Sequence, residues 1–166
     1  RFRYASIKPQ DRVRAWVAHV AGHAAGNEFY TDIVGKDANK KGEKGGETIA
    51  PLSQESAKEI LAKMLELYTI GCKKLLPFAP DSSYEYATGV TENGEDSAME
   101  EASKAWSEGR FPESDVPYLS EAWGADGPLV HPEFRIHARA FWEKFVEKLA
   151  AEPAANAAAG EGDDHV

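Results

Sequence analysis

Between Ser53 and Lys74 the chain sets Ala57, Ile60, Leu61, Met64, Leu65, Tyr68 and Cys72 at three- and four-residue intervals. Only an α-helix gathers positions so spaced onto one side. Ser53 is a ready N-cap, Glu55 and Glu59 suit the positive end of the helix dipole, and Lys73 and Lys74 suit the negative end. Pro77 and Pro80 then forbid continuation. A lone amphipathic helix cannot bury its own stripe, so the rest of the chain must supply the opposite wall.

Three further segments can do so. Pro9 suits a helix first turn, and Val13, Trp16, Val17, Val20 and Ala24 make an apolar stripe that stops at Gly26. Met99, Ala102 and Trp106 mark a helix over about 97–108, after a short helix near 82–88 and an acidic turn at 91–96. His131-Pro132-Glu133 opens a last helix with Phe134, Ala138, Phe141, Trp142, Phe145 and Leu149 on its buried face. Strand signals are fewer: Arg1-Phe2-Arg3-Tyr4-Ala5 alternates, and Glu28–Val34 and Glu47–Leu52 flank a polar, glycine-rich tip at 35–46 as a long hairpin. The 109–128 stretch holds one helical turn around Tyr118–Trp123. Residues 153–166 lose periodicity and predict a weakly ordered Ala/Gly-rich acidic tail after a domain at 1–152.

With 166 residues, 42% of them apolar, the chain can bury a real core. No apolar run reaches the ~20 residues that cross a bilayer. A single cysteine, Cys72, makes no internal disulfide and suits a reducing, cytoplasmic setting; its place on the apolar stripe predicts a small core residue. The start at Arg1, without Met or a signal sequence, reads as part of something larger.

The net charge of −9 disfavours binding to nucleic acid over the whole surface. Its distribution is uneven: residues 1–50 carry 9 basic and 6 acidic side chains, and 51–151 carry 10 and 18. Arg1, Arg3, Lys8, Arg12 and Arg14 face only Asp11 among the first fourteen residues. Two readings of that edge stand: a solvated strand-to-helix corner, or a contact for phosphate or an acidic partner.

Motifs for chemistry are missing. Gly35-Lys36 is followed by Asp37 in place of the Ser/Thr of a phosphate loop, and there is no GxGxxG or GxSxG, so no nucleotide site is expected. His19 and His23 have the spacing of a metal pair, but Val20 stands where the zinc proteases carry Glu and no acidic third ligand follows; a partly exposed helical pair is expected. Metal-dependent nucleases hold Mg²⁺ with an Asp and a second acid, with a lysine two places after that acid. None of the twelve lysines has Asp or Glu two residues earlier. No catalytic residues, metal or cofactor are therefore expected.

Four stretches together resemble the C-terminal domain of RecC, the gamma subunit of exodeoxyribonuclease V (the RecBCD helicase–nuclease). They are RYASIKPQDRVRAWVAHVAGHAAG at 3–26, IAPLS with the following ESAKEILAKMLELYTIGCKKLLPFAPDSSYEYA up to 87, AMEEASKAWSEG at 98–109, and the aromatic helix at 134–149. The resemblance implies a helix-rich α/β (α+β) fold, part of an inactivated, restriction-endonuclease-like domain with a small sheet and hairpin. It also implies a scaffold for RecB-type and RecD-type subunits that helps to guide DNA strands in recombinational repair. On that reading Arg1-Phe2-Arg3-Tyr4 stands where an active relative carries Asp-x-Lys.

Candidate contact residues are Arg3, Lys8, Arg12 and Arg14 for DNA, and Phe111, Tyr118 and Trp123 for a protein partner. The competing readings are a diverged Mg²⁺-dependent nuclease using Asp81, Glu85 or Asp32, and a protein-interaction module unrelated to DNA. A freestanding nucleic-acid binder fits poorly with the acidic balance.

Overall fold

The computed structural model describes residues 7–36, 44–108 and 111–150. The strand expected at Arg1–Ala5, most of the 35–46 tip and the 153–166 tail lie outside the described residues.

The helix predicted from the 53–72 stripe is α2, Gln54–Gly71, and Ser53 Oγ accepts a hydrogen bond from the Ser56 N–H at 3.2 Å as its cap. Its buried residues are Ala57, Ile60, Met64 and Leu67. The expected stripe was too wide. Leu65 and Tyr68 are 57% and 71% exposed, and Cys72 is an exposed C-cap residue, not core. Helical geometry carries the buried line from Met64 to Leu67 and leaves Leu61, Leu65 and Tyr68 on its flank.

Helix α1 spans Pro9–Ala24, with proline in its first turn as expected. Its buried residues are Trp16, His19, Val20 and His23, so the buried face is turned from the predicted one and Val17 is left 40% exposed. The hairpin pairs β1 (Thr31–Lys36) antiparallel with β2 (Lys44–Ile49), with Thr31 opposite Ile49. Both strands begin about three residues away from the expected positions. A two-residue strand, β3 (Leu149–Ala150), extends the sheet in the order β1-β2-β3, an addition too short to show as a strand pattern.

Helix α3 covers Pro80–Asn93, twice the length expected for 82–88, and α4 covers Glu95–Ser107. The expected acidic turn at 91–96 shrinks to Gly94, whose φ of +87° turns the chain at one residue. The two helices pack closely because Gly89 has no side chain; a Cβ there would lie 2.8 Å from Ala98 Cα. A short helix, α5 (Pro117–Trp123), stands where a helical turn was predicted. Helix α6 runs over Phe134–Lys148. It starts after Pro132, not at it, because Pro128–Val130 form a separate 3-10 turn and the chain must still change direction.

The main core joins Trp16 and Val20 of α1, Ile33 and Ile49 of the sheet, Ala57, Ile60 and Met64 of α2, and Trp142 and Phe145 of α6. Each buried indole has an acceptor: Trp16 Nε1 donates to the Phe141 carbonyl at 3.2 Å, and Trp142 Nε1 to Ser83 Oγ at 2.9 Å. A second cluster packs Tyr86 of α3, Ala98 and Ala102 of α4, and Phe134 and Ala138 of α6. A helix-rich α+β architecture with a small sheet is what the resemblance implied.

The N-terminus of α3 is capped from far away. Glu113, 3% exposed, accepts from the Asp81 N–H at 2.9 Å, the Ser82 N–H at 2.9 Å and Ser82 Oγ at 2.7 Å. Burial pushes its carboxyl above the ordinary range, against the pull of those bonds. Glu113→Ala leaves these donors buried without an acceptor and is expected to cost about 2–3 kcal/mol in urea unfolding, with Glu113→Gln restoring part of the loss.

Candidate functional site

The basic edge begins at the N-terminus of α1. The Lys8 backbone N–H donates to Asp11 Oδ2 at 3.2 Å, its side chain is exposed, and Arg14 is 81% exposed with Asp11 Oδ1 at 3.8 Å. Arg3 lies outside the described residues.

Arg12 is placed differently. Its Nε donates to Glu47 Oε2 at 2.8 Å and Oε1 at 3.0 Å, and its terminal nitrogen also meets Oε1. The guanidinium lies 4.5 Å from the Tyr84 ring centre. One side chain therefore ties α1 to β2 and α3. Burial is the largest influence and works against the Arg12 charge, but the hydrogen bonds with Glu47 together with the attraction of Tyr84, Glu47 and Glu85 outweigh it, and its pKa is raised.

The acids considered for a metal fall on two elements, β1 and α3. Asp32, on β1, accepts from Thr48 Oγ1 at 2.7 Å. Asp81 and Glu85 lie one turn apart on α3, in the field of Arg12. Burial raises the Asp81 pKa, while Arg12 and Lys8 pull it down. Among the described residues no group of three His, Cys, Asp or Glu side chains converges as a metal site.

His19 and His23 are buried, not partly exposed. Their rings lie 4.3 Å apart, His23 stacks on Phe29 at 4.5 Å, and Trp16 stacks on His19 at 5.7 Å. Thr31 Oγ1 meets His19 Nδ1 at 2.9 Å, and the Phe29 carbonyl accepts from His23 Nε2 at 3.0 Å. The pair is part of the seam between α1 and the segment entering β1. Burial, then the neighbouring His23, lowers the His19 pKa to about 4; the Ala50 backbone eases this at a geometry short of a full hydrogen bond.

The aromatic candidates separate. Phe111 and Tyr118 are 82% and 67% exposed. Trp123 is half-buried against the local core of Ala79, Trp106 and Leu119, with its ring 6.2 Å from His131.

Several residues that the sequence assigns to buried stripes instead form a surface of their own. Val17, Leu61, Leu65, Tyr68, Phe78 and Phe141 are among the side chains around an open groove of about 330 Å³ between α1, α2, the 75–78 connector and α6. The described residues that line it, among them Met64, Leu67 and Leu76, carry aliphatic, thioether or aromatic side chains. The signal was present as excess width, since seven apolar positions exceed what one buried helix face accommodates.

The RecC C-terminal domain family matches over residues 1–91, from before α1 to within two residues of the end of α3. This span is more than half of the sequence. The chain belongs to the RecC C-terminal domain family. It is thus part of a gamma subunit of the RecBCD complex, which acts in DNA repair and recombination. The resembling stretches at 98–109 and 134–149 lie beyond the matched span. No curated protein matches the chain. Among the described residues of this RecC domain, no helix is long and apolar enough to cross a membrane.

Two measurements check the electrostatics. Arg12→Ala is expected to lower unfolding free energy by about 2 kcal/mol, and adding Glu47→Ala to recover much of that, since an unpaired half-buried carboxylate is the larger cost. His19 binds its proton more readily when unfolded. Stability is therefore fully present above pH 6.5 and falls as pH drops towards about 4. Its slope approaches one proton, roughly 1.4 kcal/mol per pH unit. Urea titrations across this window should show a shallower slope for His19→Gln.

Proposed function

We propose that this domain is a non-catalytic structural module of the gamma subunit. It holds RecB-type and RecD-type subunits of its complex and offers the Lys8/Arg14 edge to DNA strands. Its helix-rich build around a small sheet is compatible with a restriction-endonuclease-like ancestor whose cutting residues are gone. The observation that carries the reading is the placement of the acids. Glu47 is engaged by Arg12, Asp81 sits in the field of Arg12 and Lys8, and Asp32 lies apart on β1. A guanidinium among carboxylates repels the divalent cation they would otherwise attract. The sequence agrees, because no lysine follows an acid at the spacing of metal-dependent nucleases.

Arg12 supports the edge by fixing α1 on β2, while Lys8 and Arg14 keep exposed cationic groups. Phe111 and Tyr118 present apolar area for a protein partner, with Trp123 holding the segment beneath them.

The test uses the full gamma subunit. Removing this domain should abolish stoichiometric co-purification of the RecB-type and RecD-type subunits; retained assembly would refute the scaffold role. Asp81→Ala should leave Mg²⁺-dependent DNA degradation by the assembled complex unchanged, and a large loss would favour the nuclease reading. Lys8→Glu with Arg14→Glu should weaken DNA binding and reduce the slope of log affinity against log salt by roughly one for each phosphate that is no longer neutralised.

A further inference from the structure

Two histidines hold a phenylalanine at the entrance of β1. His19 and His23 are each 1% exposed, and both rings contact half-buried Phe29, His23 face-on at 4.5 Å and His19 edge-on at 5.4 Å. Gly22 opens the slot by having no side chain. Residues 27–31 are tied to α1 through the Asn27 N–H and Nδ2, which donate to the Gly22 carbonyl at 3.2 and 3.1 Å, and through the two imidazoles. His23 Nε2 donates to the Phe29 carbonyl, and His19 Nδ1 meets Thr31 Oγ1.

One nitrogen of each ring is thereby used. The others, His19 Nε2 and His23 Nδ1, are buried without a hydrogen-bond partner. In the tautomers that donate to Thr31 and Phe29, a neutral ring keeps only a lone pair there. An imidazolium carries two N–H groups, so a proton gained by either ring creates a buried donor with no full acceptor.

The surroundings offer such a charge no compensation. Lys148 at the end of α6 and the neighbouring His23 both act against a proton on His19. Before β1, Glu28 is exposed, and Asp32 alternates to the other face of the strand, where it accepts from Thr48. Glu47 of β2 is held by Arg12. Ser53 and Gln54 at the start of α2 are neutral, and Glu55 is exposed.

The frame of the domain is held elsewhere. Trp16 and Trp142 find their acceptors on α6 and α3, and Arg12 joins α1 to β2. Loss of the slot leaves these bonds in place.

We infer that the slot is a proton-sensitive latch: a proton taken up at the His19/His23 pair releases Phe29 and residues 27–31 from α1 while the core of α1, α2, α3 and α6 stays folded. In the closed slot the His19 pKa is lowered to about 4, whereas a released imidazole titrates near its ordinary 6.5. The closed form is therefore favoured fully above pH 6.5, and release grows as pH falls towards about 4.

The test is amide hydrogen exchange with peptide mapping on the full gamma subunit between pH 7.5 and 5, corrected for the intrinsic pH dependence of exchange. For peptides covering 27–31 the opening constant should be nearly flat above pH 7 and rise at least roughly 30-fold by pH 5, the share of His19 alone. Peptides within Gln54–Gly71 and Phe134–Lys148 should stay at least about a hundredfold more protected at every pH, which separates local release from unfolding. His19→Gln with His23→Gln, which keeps neutral hydrogen-bonding groups, should abolish the rise. Protection equal to that of the helices overturns the latch, as does a rise that persists in the double variant. If the double variant has lost helix protection at pH 7.5, the parent profile decides: a rise that starts only below pH 5, where carboxylates titrate, overturns the latch, and one that starts between pH 7 and 6 supports it.

Discussion

Two buried indole N–H groups fix the arrangement of the domain. An indole nitrogen out of reach of water requires an acceptor, and each acceptor here comes from a distant element. Trp16 of α1 reaches the backbone of α6, and Trp142 of α6 reaches Ser83 of α3. Together they set the distance and roll of three helices around Phe145, whose ring meets Trp16 edge-on at 5.5 Å and Trp142 at 5.2 Å. The sheet hairpin then closes one side, with Ile33 and Ile49 turned inward. Moving α6 would unpair both indoles at once, so the small apolar adjustments elsewhere are made around it.

The charged junction at Arg12 extends this frame to the surface. Most exposed ion pairs contribute little, but Arg12 is held by two carboxylate oxygens and an aromatic face in a half-buried position. It converts a residue that reads as part of a basic edge into a clamp between a helix and a hairpin. The electrostatic character of the edge changes accordingly: it is a mixed surface with Lys8 and Arg14 outermost, not a continuous basic strip.

The sequence made the main helices legible because their stripes and stops are local: Pro9, Ser53 and the Pro77/Pro80 pair mark boundaries by backbone geometry alone. What it concealed depended on distant partners. The rotation of α1 that buries His19 and His23 is set by Phe29, whose Cζ would lie 2.6 Å from a Cβ on Gly22. The cap of α3 depends on Glu113, which no local cap rule reveals, and its run to Asn93 goes with the close packing of Gly89 on Ala98 of α4. Arg12 looked available because Glu47 and Tyr84 stand far from it in sequence. The excess apolar positions Leu61, Leu65 and Tyr68 could be read as helical, but their surplus over the buried face became visible only once Leu67 was seen to occupy the core side.

The remote cap on α3 also bears on the order in which the chain is made. Glu113 leaves the ribosome 31 residues after Ser82, the group it anchors, and Phe141 follows Trp16 by 125 residues. During synthesis α1, the hairpin and α2 emerge first with their aromatic and amide groups still in water. They can pack on one another, but they gain Phe141, Trp142 and Phe145 only when α6 arrives. Within this domain α6 therefore completes a core whose other walls are made before it.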